Sequence, residues 1–157
     1  MKKNKENDII AVNRKAYFNY EVLSSLECGI ELHGTEVKSI REGHVNFTDS
    51  FCEVKNLELF IVKLHISAYK YGNIFNHAAE RPRRLLAHKK EIAKIARQVK
   101  EKGITLIPLK FYFKGRRIKV DVGICRGKKL YDKRESIKEK DIKRQTDREK
   151  ARVLGSR

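Results

Sequence analysis

Nowhere in the 157 residues do apolar side chains run for the roughly 18 positions that a membrane-spanning helix needs. The opening stretch, MKKNKENDII, also lacks the apolar segment of a secretory leader, so a cytosolic address is expected. Tryptophan is absent, and no internal repeat is visible. The three cysteines, Cys28, Cys52 and Cys125, are odd in number, far apart and without a C-x-x-C pair. That argues against a disulfide framework and a zinc site, and suits reduced thiols packed as small hydrophobes. His33, His44, His65, His77 and His88 are equally dispersed, with no cysteine or carboxylate at ligand spacing, so neither a metal nor a cofactor is expected.

Catalytic signatures are missing too. GICRGKK, from Gly123 to Lys129, follows a predicted strand as a phosphate-cradling loop would. It is one residue short between its glycines, and Lys129 stands where a magnesium-binding Ser or Thr is needed. There is no nucleophile elbow and no His-Glu-x-x-His. Glu27, Glu31 and Glu36 read as solvated strand and helix residues, and nothing singles out an acid/base pair among them. The chain is expected to have no enzyme activity.

What the sequence does have is cationic charge. Thirty-seven lysines and arginines against 20 acidic residues give a formal net charge of +17 and a pI of about 9.9. An excess of that size repels itself and implies a polyanionic partner. Nucleic acid leads, because each cation placed on a phosphate releases a condensed counterion; anionic membrane is the weaker alternative. Arg81, Arg83 and Arg84 cluster beside Pro82, and Lys114, Arg116, Arg117 and Lys119 surround a predicted hairpin tip next to Tyr112. Cations beside exposed rings suit RNA, whose bases stack on aromatic faces.

Periodicity organises the rest. Residues 1–12 read as a flexible N-terminus, and Tyr17 to Leu32 as strand. GTEVKSIREG predicts a short helix that Thr35 can cap and Gly43 ends. SFCEVKNLELFIVKLHI predicts a hairpin turning near Lys55-Asn56, with Phe60, Val62, Leu64 and Ile66 on one parity. A long polar loop follows, then an amphipathic helix carrying Ile92, Ile95, Ala96 and Val99, stopped by Gly103. ITLIPLKFYFKGRRIKVDVGI predicts a second hairpin around Lys114-Gly115. Ile107, Leu109, Phe111 and Phe113 share one face of its first strand, and Ile118, Val120, Val122 and Ile124 one parity of its second. The pattern is mainly β with inserted α: a small antiparallel barrel of the oligonucleotide-binding (OB-fold) type over residues 13–126, with a ferredoxin-like sandwich as runner-up.

Residues 127–157 differ in kind. GKKLYDKRESIKEKDIKRQTDREKARV is nearly devoid of apolar residues, but has no glycine or proline from Lys128 to Leu154 and has acid–base pairs at helical spacing, such as Glu139-Lys143. With no core to pack on, this basic tail is predicted to be disordered when free and to become helical against RNA.

Several runs together resemble the SsrA-binding protein family, also called small protein B: NRKAYFNY, GTEVKSIREG, NFTDS, RPRRLLAHKKEI, GITLIPLKFYF and GKKLYDKRESIKEKD, in the family's order and over nearly the whole chain. The resemblance implies an OB-type barrel without catalytic activity. It implies binding to the transfer-RNA-like domain of transfer-messenger RNA, and delivery of the alanine-charged RNA to ribosomes stalled without a usable codon. Elongation factor Tu is implied as an indirect partner, through alanyl transfer-messenger RNA. The protein itself is expected to be a monomer. Carried over by position, Glu27, Leu86 and Lys119 are the implied contacts to transfer-messenger RNA. Gly127, Lys128, Lys129, Tyr131, Asp132, Lys133 and Arg134 are the implied tail elements for the decoding region of the small ribosomal subunit. Arg84 and Ala87 depart from the family's more usual lysine and leucine, and the alignment loosens after Asp141.

Overall fold

The computed structural model describes residues 8–72, 76–101 and 103–155. In chain order its elements are β1 (Ile9–Val12), α1 (Arg14–Asn19), β2 (Tyr20–Ile30), α2 (Gly34–Arg41), β3 (Val45–Asn46), β4 (Phe51–Lys55), β5 (Glu58–Val62), β6 (His65–Ile66), β7 (Arg83–Leu86), α3 (Lys89–Val99), β8 (Ile104–Lys114), β9 (Arg117–Gly127) and α4 (Leu130–Gly155). Strands β8, β4, β5, β7, β2 and β9 pair in that order, and β9 pairs back onto β8, so the sheet closes on itself. This is the expected antiparallel barrel. β1 adds to the outside edge of β8, and β3 and β6 form a separate two-stranded ribbon.

Burial of alternate residues drives closure. Ile118, Val120, Val122 and Ile124 all face the main core from β9, as their parity predicts, and meet Phe111, Leu106, Leu59, Ile61 and Leu85 there. Ile40 of α2 and Ile92 and Ile95 of α3 join the same cluster. At about 25 cal/mol per Å² of apolar surface removed from water, this burial is the main favourable contribution to folding. The barrel is unevenly stitched: β9 is paired along its length with both neighbours, whereas β4 meets β8 only at Cys52 opposite Leu106.

The structure departs from the sequence expectations at identifiable points. Ile9–Val12 is a strand paired with β8 rather than part of a flexible N-terminus, because Ile10 finds the core to pack on; residues 1–7 lie outside the described residues. Tyr17 to Asn19 are helical, not extended. The Asn13 side chain accepts from the Ala16 amide and starts α1. His33, not Thr35, occupies the N-cap of α2, with Glu36 reaching back to its backbone amide. In the first hairpin the turn falls on Asn56 and Leu57, both with positive φ. Leu59 and Ile61 face inward rather than Phe60 and Val62. Lys63, at φ 58°, then resets the alternation, so Leu64 and Ile66 are buried as expected. A register shift between Pro108 and Lys110 splits the face expected of β8: Ile107 and Leu109 turn to a second cluster with Ala16 and Cys125, under α1.

The tail is the largest correction. Expected to be disordered when free, it is a helix of 26 residues over Leu130–Gly155, roughly 39 Å long. Lacking breakers and far exceeding a nucleating turn, it gains one hydrogen bond for each residue added, and Ser136 and Thr146 bond back to carbonyls four residues earlier. Residues 156 and 157 of the expected tail lie outside the described residues.

One polar cluster sits inside the fold. Glu36 of α2 and Arg83 of β7 are both fully buried and ion-paired. Arg83 also donates to the carbonyls of Leu64 at 2.7 Å and Ala79 at 3.0 Å, and Arg81 donates to the other Glu36 oxygen. Burial pushes the Glu36 carboxyl up, but the His33 amide and the two guanidinium groups outweigh it and hold the group below the usual carboxylate range. This corrects the reading of Glu36 as a solvated helix residue. Glu36→Ala is expected to cost about 3–5 kcal/mol by stranding a buried guanidinium, read as a lower midpoint in urea unfolding. An unchanged midpoint would mean that the cluster does not tie α2 and the loop before β7 to the barrel.

Candidate nucleic-acid interface

Three neighbouring strands, β7, β2 and β9, with β8 beyond, carry the outward residues of the site. One cross-strand rung places Leu86 opposite Gly29, Gly29 opposite Lys119, and Lys119 opposite Tyr112. The next outward rung places Glu27 opposite Asp121, and Asp121 opposite Lys110. Glu27, Leu86 and Lys119, distant in sequence, therefore share one patch on the outside of the barrel. The core residues Cys28, Leu85 and Val120 are their inward neighbours. Gly29 matters by what it lacks: a Cβ there would stand 3.2 Å from Leu86 Cβ, so its absence lets Leu86 lie close over β2. Leu86 is 46% exposed, an apolar surface between charged neighbours.

Hydrogen bonds organise the charges. The Tyr112 hydroxyl donates to Glu27, and lies 3.4 Å from an Asp121 oxygen. Lys114 Nζ donates to Glu27 Oε1 at 2.9 Å. Lys110 pairs with Asp121 at 3.4 Å, and its ammonium stands 5.4 Å from the Tyr112 ring centroid. The Tyr112 hydroxyl and the Lys114 ammonium hold the Glu27 carboxyl below the usual range. Burial and the Glu27 carboxylate push the Tyr112 phenol well above its own. At neutral pH Glu27 is thus an anion and Tyr112 a neutral donor. Glu27 fixes a cation and a phenol in place while staying partly open to an outside donor. Lys119 makes no ion pair among the described residues, so its charge remains available for a phosphate.

The tail positions begin at the far end of β9. Gly127 pairs with Tyr20, the Lys128 amide donates to the Asn19 carbonyl at 2.9 Å, and the Lys128 ammonium donates to Ser136 at 3.2 Å. Asp132 falls in the first turn of α4, beside Lys133 and Arg134, where its charge favours the helix macrodipole. Tyr131 is 70% exposed. Lys119 and Gly127 are eight residues apart on one strand, roughly 26 Å at strand rise. The structure therefore does not bring the two sets of implied site residues together.

Several cations read as nucleic-acid ligands have other work. Arg83 is buried against Glu36, Arg81 pairs with the same carboxylate, and Arg84 pairs with Glu31 and Glu58. Tyr112, expected to be an exposed ring, is 3% exposed and serves the network instead. Sequence reasoning missed Gly29, Lys110 and Asp121. The parity of IKVDVGI already put Asp121 beside Lys119, but which strand lay alongside could not be read from it. Among the described residues no helix is long and apolar enough to cross a membrane.

Comparison with known proteins agrees with this geometry. Residues 10–152 match the model of a family described as SmpB protein. The chain is 54% identical over 141 residues to the SsrA-binding protein of Treponema denticola, covering 90% of this chain and 92% of that one. It is 57% identical over 141 residues to the SsrA-binding protein of Caldicellulosiruptor bescii, covering 88% and 89%. A chain from the solved structure described as "tmRNA-SmpB: a journey to the center of the bacterial ribosome" superposes with a TM-score of 0.66 at 45% identity, covering 76% of this chain and 85% of that one.

Tyr112→Phe removes the main cause of the low Glu27 pKa. The Glu27 carboxyl should then titrate higher, toward the ordinary carboxylate range, in a carboxyl-carbon NMR titration; an unmoved titration would show that the phenol does not hold the anion.

Proposed function

The chain belongs to the SmpB family, and on that premise we propose that it binds transfer-messenger RNA and delivers it to stalled ribosomes for trans-translation. The barrel holds the transfer-RNA-like domain. Lys119 neutralises a phosphate, and Leu86 packs on a ribose or base. Glu27, already anchoring Lys114 and Tyr112, accepts from a base edge or ribose hydroxyl. The alanine-charged RNA, with elongation factor Tu attached to it, is carried into the cytoplasmic ribosome. There Gly127, Lys128 and Lys129 lead the tail toward the decoding region, Tyr131 supplies a face for stacking, and Asp132, Lys133 and Arg134 follow in the first turns of α4. Translation then switches to a tag-encoding frame. The protein itself makes and breaks no covalent bond; it supplies position and charge.

The observation that carries this reading is the meeting of Glu27, Leu86 and Lys119 on one outer patch, well away from the tail. Two separable jobs follow. Lys119→Ala should weaken capture of the transfer-RNA-like domain and lower the salt slope by about 0.7–0.9, the value of one neutralised phosphate. Truncation after Gly127 should leave that capture largely intact while abolishing peptide tagging on stalled ribosomes. If truncation weakens capture as much as tagging, the division is wrong. A generic RNA-binding protein would show equal competition by ordinary transfer RNA at physiological salt; this reading expects the transfer-RNA-like domain to win.

A further inference from the structure

The barrel's weakest seam opens into a crevice that the proposed function leaves without a role. Where β4 and β8 share only the pairing of Cys52 with Leu106, a cavity of about 770 Å³ lies between α1 and the turn after β3. Its volume falls within the roughly 300–1,000 Å³ of small-ligand sites and is far too small for a duplex. Arg14, Lys15 and Lys63 stand at its wall, all exposed, and none forms an ion pair among the described residues. Arg81, Arg83, Arg84, Lys110 and Lys114 are by contrast tied to carboxylates, so what marks the three is their convergence on one cavity rather than the lack of a partner alone. Phe47 and Phe51 contribute half-buried rings to the lining. The wall between them is a built turn: Asn46 accepts from both the amide and the hydroxyl of Thr48 at 2.9 and 2.7 Å, and Ser50 donates to the Phe47 carbonyl at 2.6 Å. Asp49, the lining carboxylate, sits at φ 61°, and Lys63 at φ 58°. Both are held in a conformation that costs a non-glycine residue about 1–3 kcal/mol and persists where the surroundings enforce it.

We propose that this crevice is a second nucleic-acid site, taking a short unpaired segment of RNA, one or two nucleotides long, with its phosphates on Arg14, Lys15 and Lys63. The ligand chemistry follows from the wall. Unpaired cations call for a phosphodiester, partly buried rings offer stacking to an unstacked base, and Asp49 accepts from a base amino group or a ribose hydroxyl. The cavity also touches Asn19 and Tyr20, the residues that hold the start of the tail through Lys128 and Gly127. An unpaired strand seated here therefore runs alongside the root of α4, on the far side of β1 from the Lys110–Asp121 pair. The inference needs RNA binding but not the identity of the RNA on the outer sheet.

The test uses the full-length chain and labelled hexauridylate in an anisotropy titration from about 50 to 200 mM salt. The seam pair Lys15→Ala with Lys63→Asn, the latter tolerating left-handed backbone, is compared with Lys90→Ala and Lys100→Ala, which remove equal charge from exposed positions on and just after α3. The seam pair should weaken hexauridylate binding about tenfold near 0.1 M salt and reduce the salt slope by about 1.4, the value of two phosphates on a single strand. The control pair should change affinity less than about twofold, and capture of the transfer-RNA-like domain should be the same for both. Equal effects of the two pairs on hexauridylate, or none from the seam pair, would overturn the site. Such a failure with intact capture of the transfer-RNA-like domain would leave the function of the outer patch untouched.

Discussion

The two-sided pairing of β9 is the constraint from which the positions of the other functional parts follow. Eleven residues long, it is hydrogen-bonded to β2 on one edge and β8 on the other. A slip of one residue would expose Val120 and Val122 and bury Lys119 and Asp121, so the hydrophobic core fixes where the functional charges stand. The same strand ends at Gly127, and so also fixes where α4 leaves the barrel. Apolar burial thus locates both the outer patch proposed to face RNA and a tail it does not itself contain.

Charge is sorted rather than simply accumulated. The net charge of +17 suggests a uniformly basic body, yet five barrel cations are anchored by carboxylates. Glu36 holds Arg81 and Arg83, Asp121 holds Lys110, Glu27 holds Lys114, and Glu31 and Glu58 hold Arg84. Lys119 and the seam cations are among the charges that form no ion pair among the described residues, and they differ from the rest by where the fold gathers them. An exposed ion pair adds little stability, so what the carboxylates on the outer face supply is orientation. Glu27 illustrates this. A carboxylate on a surface proposed to meet phosphate looks contradictory in sequence. In the fold it aligns a phenol and an ammonium and leaves its neighbour Lys119 free.

The barrel was legible because β9 alternates cleanly from Arg117 to Val122, and because α3 repeats its isoleucines at helical spacing. Where alternation failed, a local backbone event intervened that parity does not encode: the positive φ of Lys63, the register shift before Lys110, the Asn13 cap that turns Tyr17 to Asn19 into helix. The site residues were named by resemblance rather than by chemistry. Cross-strand neighbours come from distant parts of the chain, so neither the Glu27–Tyr112 bond nor the rung from Leu86 to Lys119 has a linear signature. Arg83 reads as surface charge in sequence for the same reason, since its partner Glu36 lies 47 positions away.

Separate jobs for body and tail require a barrel that grips RNA with one face while the helix beginning at Leu130 stays clear of that grip. Amide-resolved NMR of the uniformly labelled full chain, free and saturated with the isolated transfer-RNA-like domain, decides the point. Resonances of Glu27, Gly29, Leu86 and Lys119 should move, while those from Tyr131 to Leu154 keep their free positions. Tail resonances that shift or broaden as strongly as the barrel face would refute the separation.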